Sequence, residues 1–230
     1  MAAFGAAASG SAGGSVTSLD TANLNVTGTD LALVVCVGEA ASVARAYTMV
    51  WDPAGNNESM TGEITDINPG GYVGAEMEYL DNPTPANAPA RATWSPGTDE
   101  TIIMAAFFTN AADIVAADFA ENSFPTTGGS LSATPGNVVS GDMVVDFFIG
   151  ANQAAISAGA NQTEVGADVD SGSYARGNMS YQAGADGGVM SWTCTGQNYG
   201  AALVALRIPG TGGGGGLSIP IASHHYRTMM

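Results

Sequence analysis

From residue 15 onward the chain reads as short apolar or alternating runs of roughly four to nine residues, each closed by Gly, Pro, Asn or Asp, the pattern of an all-β protein with many tight turns. Ten runs qualify as strands: 15–19, 30–37, 44–51, 74–80, 90–94, 101–108, 143–149, 178–182, 189–195 and 201–208. Two antiparallel sheets packed as a sandwich accommodate them. Alternation is clearest in Met49-Val50-Trp51, in Met190-Ser191-Trp192-Thr193-Cys194 and in Ala75-Glu76-Met77-Glu78-Tyr79. In the last of these the period of two sends both glutamates to water and Met77 and Tyr79 to the core. The unbroken apolar runs 31–37, 102–108 and 144–149 instead predict central strands covered on both faces, or strands with one face against a neighbouring subunit.

Residues 105–121 and 151–160 are Ala-rich with partly helical spacing; over so few turns the spacing does not arbitrate, and both are read as strand ends running into long loops. Pro83, Pro85 and Pro89 with Asn82 and Asn87 make a rigid connection between two strands. No internal repeat is visible in the sequence. The domain layout expected is a flexible Gly/Ala/Ser-rich arm over 1–14, the sandwich over 15–209, a glycine linker over 210–216 and a tail over 217–230.

The linker changes the functional picture. Five consecutive glycines, Gly212 to Gly216, behave as a leash, and the segment they carry holds both histidines of the chain, His224 and His225. In an extended tail Ile219 and Ile221 point the same way with Pro220 between them, which suits an edge or a groove on a neighbour. Leu217, Ile219, Ile221, Tyr226, Met229 and Met230 are the candidate docking residues. Disorder of the tail is the alternative, and the histidine pair alone is weak as a metal or pH-sensing element.

The body has little to do chemistry with. It contains no histidine, and the chain contains no lysine, so a Ser, Thr or Cys nucleophile has no imidazole base within the domain. The balance of 5 basic against 21 acidic residues, a net charge of −16, removes the basic surface that nucleic-acid binding requires. Zinc lacks its Cys/His cluster, which leaves calcium as the metal candidate at Asp168 and Asp170, two carboxylates before Gly172 without the later bidentate Glu. Glu76 and Glu78 are the obvious pair for glycoside hydrolysis, and Trp51, Trp94 and Trp192 are either a stacking platform for sugars or core. Cys36 and Cys194 lie in strand-like runs, and a bridge between them cannot be read from spacing. The N-terminal residues lack a secretion signal's basic and apolar regions, no run is long enough for a membrane helix, and the Asn-x-Ser/Thr triplets at Asn25, Asn57, Asn161 and Asn178 read as chance matches.

The order of these signals resembles a jelly-roll-like β-sandwich domain of tailed-phage virion structural proteins and bacterial surface proteins. The likeness is carried by the run opening Asp30-Leu31-Ala32-Leu33, by Met49-Val50-Trp51, by Tyr79 to Pro83 running into Ala92-Thr93-Trp94-Ser95, and by Gly141 to Asp146, Gly159 to Glu164, Ser173-Tyr174, Met190-Ser191-Trp192 and Ala201 to Ile208. It spans about residues 15 to 209. These are strand and turn signatures, so they imply a fold and a setting and no activity. The tail's His224-His225-Tyr226-Arg227 is similar to the ends of small structural proteins of tailed phages.

The resemblance implies a non-enzymatic virion component, a capsid decoration or fibre-like subunit assembled in the host cytoplasm. Its partners are other copies of itself and capsid or tail proteins, with no nucleic acid, membrane or cofactor. A lectin-like module binding glycans through loops 56–60, 126–130 and 168–173 is the alternative.

Overall fold

In a computed structural model the described residues are all except 15, 41–45, 68–72, 96–99, 116–117, 125–128, 152, 173, 197–199 and 212–230. They form twenty strands, and the only helix among them named by its bounds is one short 3-10 turn, Gly184–Asp186. The first half contributes β1 (Ala3–Ala12), β2 (Ser18–Asp20), β3 (Leu24–Asn25), β4 (Ala32–Ala40), β5 (Tyr47–Trp51), β6 (Glu58–Ser59), β7 (Thr61–Ile67), β8 (Val73–Asp81), β9 (Asn87–Ala88), β10 (Ala90–Trp94) and β11 (Glu100–Thr109). The second contributes β12 (Phe119–Phe124), β13 (Gly129–Ala133), β14 (Met143–Ala151), β15 (Gln153–Ala158), β16 (Thr163–Glu164), β17 (Val169–Asp170), β18 (Ala175–Ala183), β19 (Met190–Gly196) and β20 (Ala201–Ile208). Every ladder between them is antiparallel. All ten expected strands are present within a few residues; the two Ala-rich stretches begin as strand ends as expected, but where long loops were expected each also holds a further strand, the start of β12 in the first and β15 in the second.

The architecture is a sandwich doubled. Each half has a large sheet, β1-β11-β4-β8-β7 or β12-β20-β14-β18-β16 with β17 also on β18, and a small one, β2-β10-β5-β6 or β13-β19-β15. The order is the same in both halves. The central hairpins match even in register, nine pairs from Ala32↔Asp81 to Ala40↔Val73 and nine from Met143↔Ala183 to Ala151↔Ala175. A repeat invisible in the residues is therefore plain in the topology.

The two large sheets lie face to face, and each small sheet covers the outer face of its own large one. Three apolar layers result. The central layer joins Val34, Cys36 and Met77 of one half to Phe147, Ile149, Met179 and Val204 of the other. The outer layer of the first half packs Val35, Val37, Ile103 and Phe107 on Met49, Trp51 and Trp94; that of the second packs Val144, Phe148 and Leu203 on Met190 and Trp192. Each large-sheet strand thus has a core on both sides, which is why β4, β11, β14 and β20 are continuously apolar instead of alternating. Of the two readings of those runs, coverage on both faces holds, and the second cover comes from the same chain.

One expectation is corrected. The arm over 1–14 is no loose segment, because Ala3–Ala12 forms β1, an edge strand paired residue for residue with β11 apart from a bulge between Phe4 and Ala6. Its alanines, serines and glycines lack β propensity, but Phe4 stacks on Tyr181 of the other half at 4.4 Å between ring centres and Ala7 packs on the central layer. Tertiary packing overrides composition here.

The large sheets are in close contact at Gly38 of β4, where an added Cβ would sit 2.5 Å from Ile149 Cδ1 and 2.7 Å from the Phe147 ring. Both neighbours are fully buried and have nowhere to move. Gly38→Val is expected to lower stability by about 1–3 kcal/mol through overpacking, read as a fall in the urea midpoint with an unchanged m-value; an unchanged midpoint would mean the sheets are not in this contact.

Candidate functional site

Polar groups that the four layers bury need partners inside them, and three networks among the described residues supply partners to buried or half-buried acids. The first is Asp146 in β14, fully buried beneath the small sheet of the second half. Its Oδ1 accepts from the Ser180 backbone N–H at 3.0 Å and from Ser180 Oγ at 2.7 Å; its Oδ2 accepts from Trp192 Nε1 at 2.7 Å and Gln162 Nε2 at 3.1 Å. Gln162 in turn donates to Ser180 Oγ and accepts from the Ser191 N–H, so one side chain from a loop ties β18 to β19. Burial pushes the Asp146 carboxyl up to about 7 against the pull of its four donors. In the first half the equivalent register position, three residues into β4, is Val35, and the counterpart of Ser180 is Glu78.

The second is a buried ion triad. Arg207 of β20 reaches Asp142 Oδ2 with Nε at 2.7 Å and Asp118 Oδ1 with Nη1 at 2.8 Å, both carboxylates being almost fully buried. Asp142 also accepts from the Val139 and Gly210 N–H groups, and Asp118 from that of Val115. The triad pins the segments that lead into β12 and β14 to the last strand of the second half.

The third bridges the halves. Glu100 Oε2, at the start of β11, accepts from Ser171 Oγ and from the N–H groups of Tyr174 and Ala175. Next to it, Arg176 forms a two-pronged pair with Asp170 at 2.6 and 2.9 Å, which holds the Asp170 carboxyl below its ordinary range. Asp168 accepts from Asn178 Nδ2 at 3.2 Å, and burial raises its carboxyl. Asp168 and Asp170 are therefore brought together, but as partners of Asn178 and Arg176. Among the described residues no group of three or more His, Cys, Asp or Glu side chains converges as a metal would need.

Alongside this loop runs a cleft of about 430 Å³. Ala7 and Ser9 of β1 and Met104 of β11 line one wall, and Val165, Asp168 and Val169 the other.

The remaining candidates fall elsewhere. Glu76 and Glu78 do not face water as their alternation suggested: they are 3% and 9% exposed, because β8 is itself covered on its outer face. No open pair of acids flanking a cleft is formed there. Trp51, Trp94 and Trp192 are core, at 0, 8 and 0% exposure, with Trp51 Nε1 donating to the Thr84 carbonyl and Trp192 stacked on Phe148. Cys36 and Cys194 are free and buried in different layers, and burial pushes both thiols up. Asn178 is fully buried. Leu217, Ile219, Ile221, Tyr226, Met229 and Met230, with the glycine leash and both histidines, lie outside the described residues.

Sequence reasoning missed Asp146, Arg207 and Glu100. A lone acid inside the apolar run Met143-Val144-Val145-Asp146-Phe147-Phe148 was the available signal for the first, since an acid there must be buried and hydrogen-bonded. Against known proteins the chain stands apart: no protein family, no curated protein and no solved structure matches it. No helix among the described residues is long and apolar enough to cross a membrane.

Two outcomes follow from these networks. An acid whose folded value, about 7, exceeds its unfolded value of about 4 stabilises the fold fully below pH ~4, and that contribution disappears as pH rises to about 7. Urea unfolding is expected to show stability falling across this window, with a shallower fall in Asp146→Asn; equal slopes in the two proteins would refute the assignment. Arg207→Met strands two buried carboxylates and is expected to cost about 3 kcal/mol or more, measured as loss of unfolding free energy at pH 7; a near-neutral change would show that the triad carries no weight.

Proposed function

We propose that this chain is a non-enzymatic structural subunit of a virion, a capsid decoration or fibre-like component. In this reading it associates with copies of itself and docks on capsid or tail proteins through residues 217–230. The observation that carries the reading is where the polar chemistry is spent. Asp118, Asp142 and Asp146 give their oxygens to donors of the fold itself, and the body presents no imidazole. An enzyme keeps such groups in an accessible cleft with perturbed but usable protons; here they hold layers together.

What the body withholds, the tail supplies. It carries His224, His225, Tyr226 and Arg227 beside apolar Leu217, Ile219 and Ile221, and it has no acidic side chain. A five-glycine leash lets such a segment search for a partner while the domain stays rigid, and it turns a second contact within an assembly into an event of high effective concentration. The resemblance of the sequence signals over about residues 15 to 209 to virion sandwich domains agrees with this division of labour. Surplus negative charge suits it also, because like-charged bodies stay dispersed until a specific contact forms.

Removal of residues 212–230 is expected to leave a folded, monodisperse domain that no longer enters particles, as followed by co-purification with assembling virions of the producing phage. Incorporation at the full-length level would overturn the reading. A glycan array run with added calcium supplies the competing outcome, where binding through loops 56–60, 126–130 or 168–173 would favour a lectin-like module.

A further inference from the structure

We infer that the cleft between β1 and residues 165–170 is the receptor for the tail of a second copy of this chain; the inference rests on the docking role proposed above and names its other half. The two large sheets stack so that each has two edges facing edges of the other, and the shared strand order makes those two seams equivalent. At one seam β7, seven residues long, lies against β12. At the other, β7's counterpart is only the two-residue strands β16 and β17, and the chain between them is held to β18 by the Val165 N–H on the Met179 carbonyl and by the Asn178 side chain, with no continuous ladder. That seam, against β1, is the one that stays open, and the cleft is its mouth.

The walls describe the occupant. Met104 belongs to the central apolar layer, and Ala7, Val165 and Val169 are partly buried against it, so an apolar side chain entering here would extend an existing core. A strand is the natural shape for it. β1 has a ladder partner on one side only; the Ser9 carbonyl already accepts from the Ala22 N–H, and the small residues before it, Ala6, Ala7 and Ala8, leave room for another backbone to approach. Leu217, Ile219 and Ile221 alternate with Ser218, Pro220 and Ala222, which places three apolar side chains on one face of an extended segment. Pro220 is tolerated because an added strand is an edge.

Charge agrees with shape. All 21 acidic residues of the chain precede residue 187, and two of them, Asp168 and Asp170, line the cleft. Arg227, with His224 and His225, gives the tail the opposite sign.

Reach favours a second copy over the chain's own cleft. The body ends beside the start of β1, where Gly210 bridges to Ala111, the Thr211 N–H donates to Asn110, and a Cβ on Gly210 would lie 2.8 Å from the Ala2 nitrogen. Ala7, the near end of the cleft, lies about 17 Å further along an extended strand at ~3.3 Å per residue, and Ser9 about 23 Å. The glycine leash has a relaxed span of about 13 Å, from 5–6 Å per square-root residue. Filling its own cleft would hold it beyond that relaxed span, a cost that a neighbour's cleft does not impose.

The test is sedimentation velocity of the full chain over a concentration series, for wild type, Asp168→Arg, Arg227→Asp and the double charge swap, with a synthetic peptide of residues 217–230 as competitor. Concentration-dependent association of the wild type is expected, reversed by the peptide, at least tenfold weaker in each single variant and regained in the double. Single variants that associate like wild type, or a double that does not recover, overturn the inference. Should Asp168→Arg melt abnormally, Arg227→Asp alone decides, since it belongs to the tail and not to the strands of the body. Deletion of residues 212–230 separates the two claims: if it abolishes association that the cleft variants retain, the tail docks elsewhere and only the receptor is wrong. If deletion changes nothing, or the wild type is monomeric throughout, both fail.

Discussion

The contact between the two large sheets governs everything else in this molecule. Their facing sides are apolar from edge to edge, with Val34, Cys36 and Met77 against Phe147, Ile149 and Val204, and the outer sides are apolar as well. A large sheet with two hydrophobic faces cannot stand as the wall of a simple sandwich, whose outer face is wet. It needs a cover on each side, one supplied by the other half and one by the small sheet of its own half. The four layers are thus the least number that leaves no apolar face of β4, β11, β14 or β20 in water.

That arrangement sets the terms for every polar side chain. A carboxylate in a strand covered on both faces has lost bulk water and must be given donors or a counter-charge. Asp146 receives four donors, and burial still pushes its carboxyl up to about 7; Asp118 and Asp142 share Arg207. With only 5 basic residues in the chain, cations are placed sparingly. Arg91 meets Asp20 across β10 and β2, Arg176 meets Asp170, and Arg207 closes the buried triad. The surface pairs Arg91–Asp20 and Arg176–Asp170 contribute little each in solvent, whereas the Arg207 triad sits where a lost partner is costly.

Much of the fold was legible in the chain because strands announce themselves by run length and by the turn residues that close them; 90–94 and 201–208 were read to the residue. What failed did so for identifiable reasons. β1 was hidden by alanine, serine and glycine, whose place in a strand comes from Phe4 and from pairing with β11, not from propensity. Glu76 and Glu78 obeyed the period-two rule but broke its corollary, since alternation assigns faces without saying which face is wet. The duplication left no trace in residue identity because equivalent register positions carry different chemistry, Val35 against Asp146 and Glu78 against Ser180; each half solved its outer layer separately. Of the site, the acids Asp168 and Asp170 were visible, but the cleft beside them was not, because it is made by strands distant in sequence.

Duplication with divergence also explains why the molecule is lopsided. Two equal halves stacked about a pseudo-twofold axis would close both seams alike, one with β7 and the other with its counterpart. Here the counterpart has shrunk to β16 and β17, and Asp168 and Asp170, with Arg176 and Asn178 holding them, occupy the space where a regular strand would have run. An edge left short on one side only is a directional feature: it lets a chain be donor at one place and acceptor at another. The docking proposed above either exchanges tails reciprocally in a closed pair or runs head to tail into rings or filaments, and only the second would suit the shell or fibre of the proposed function.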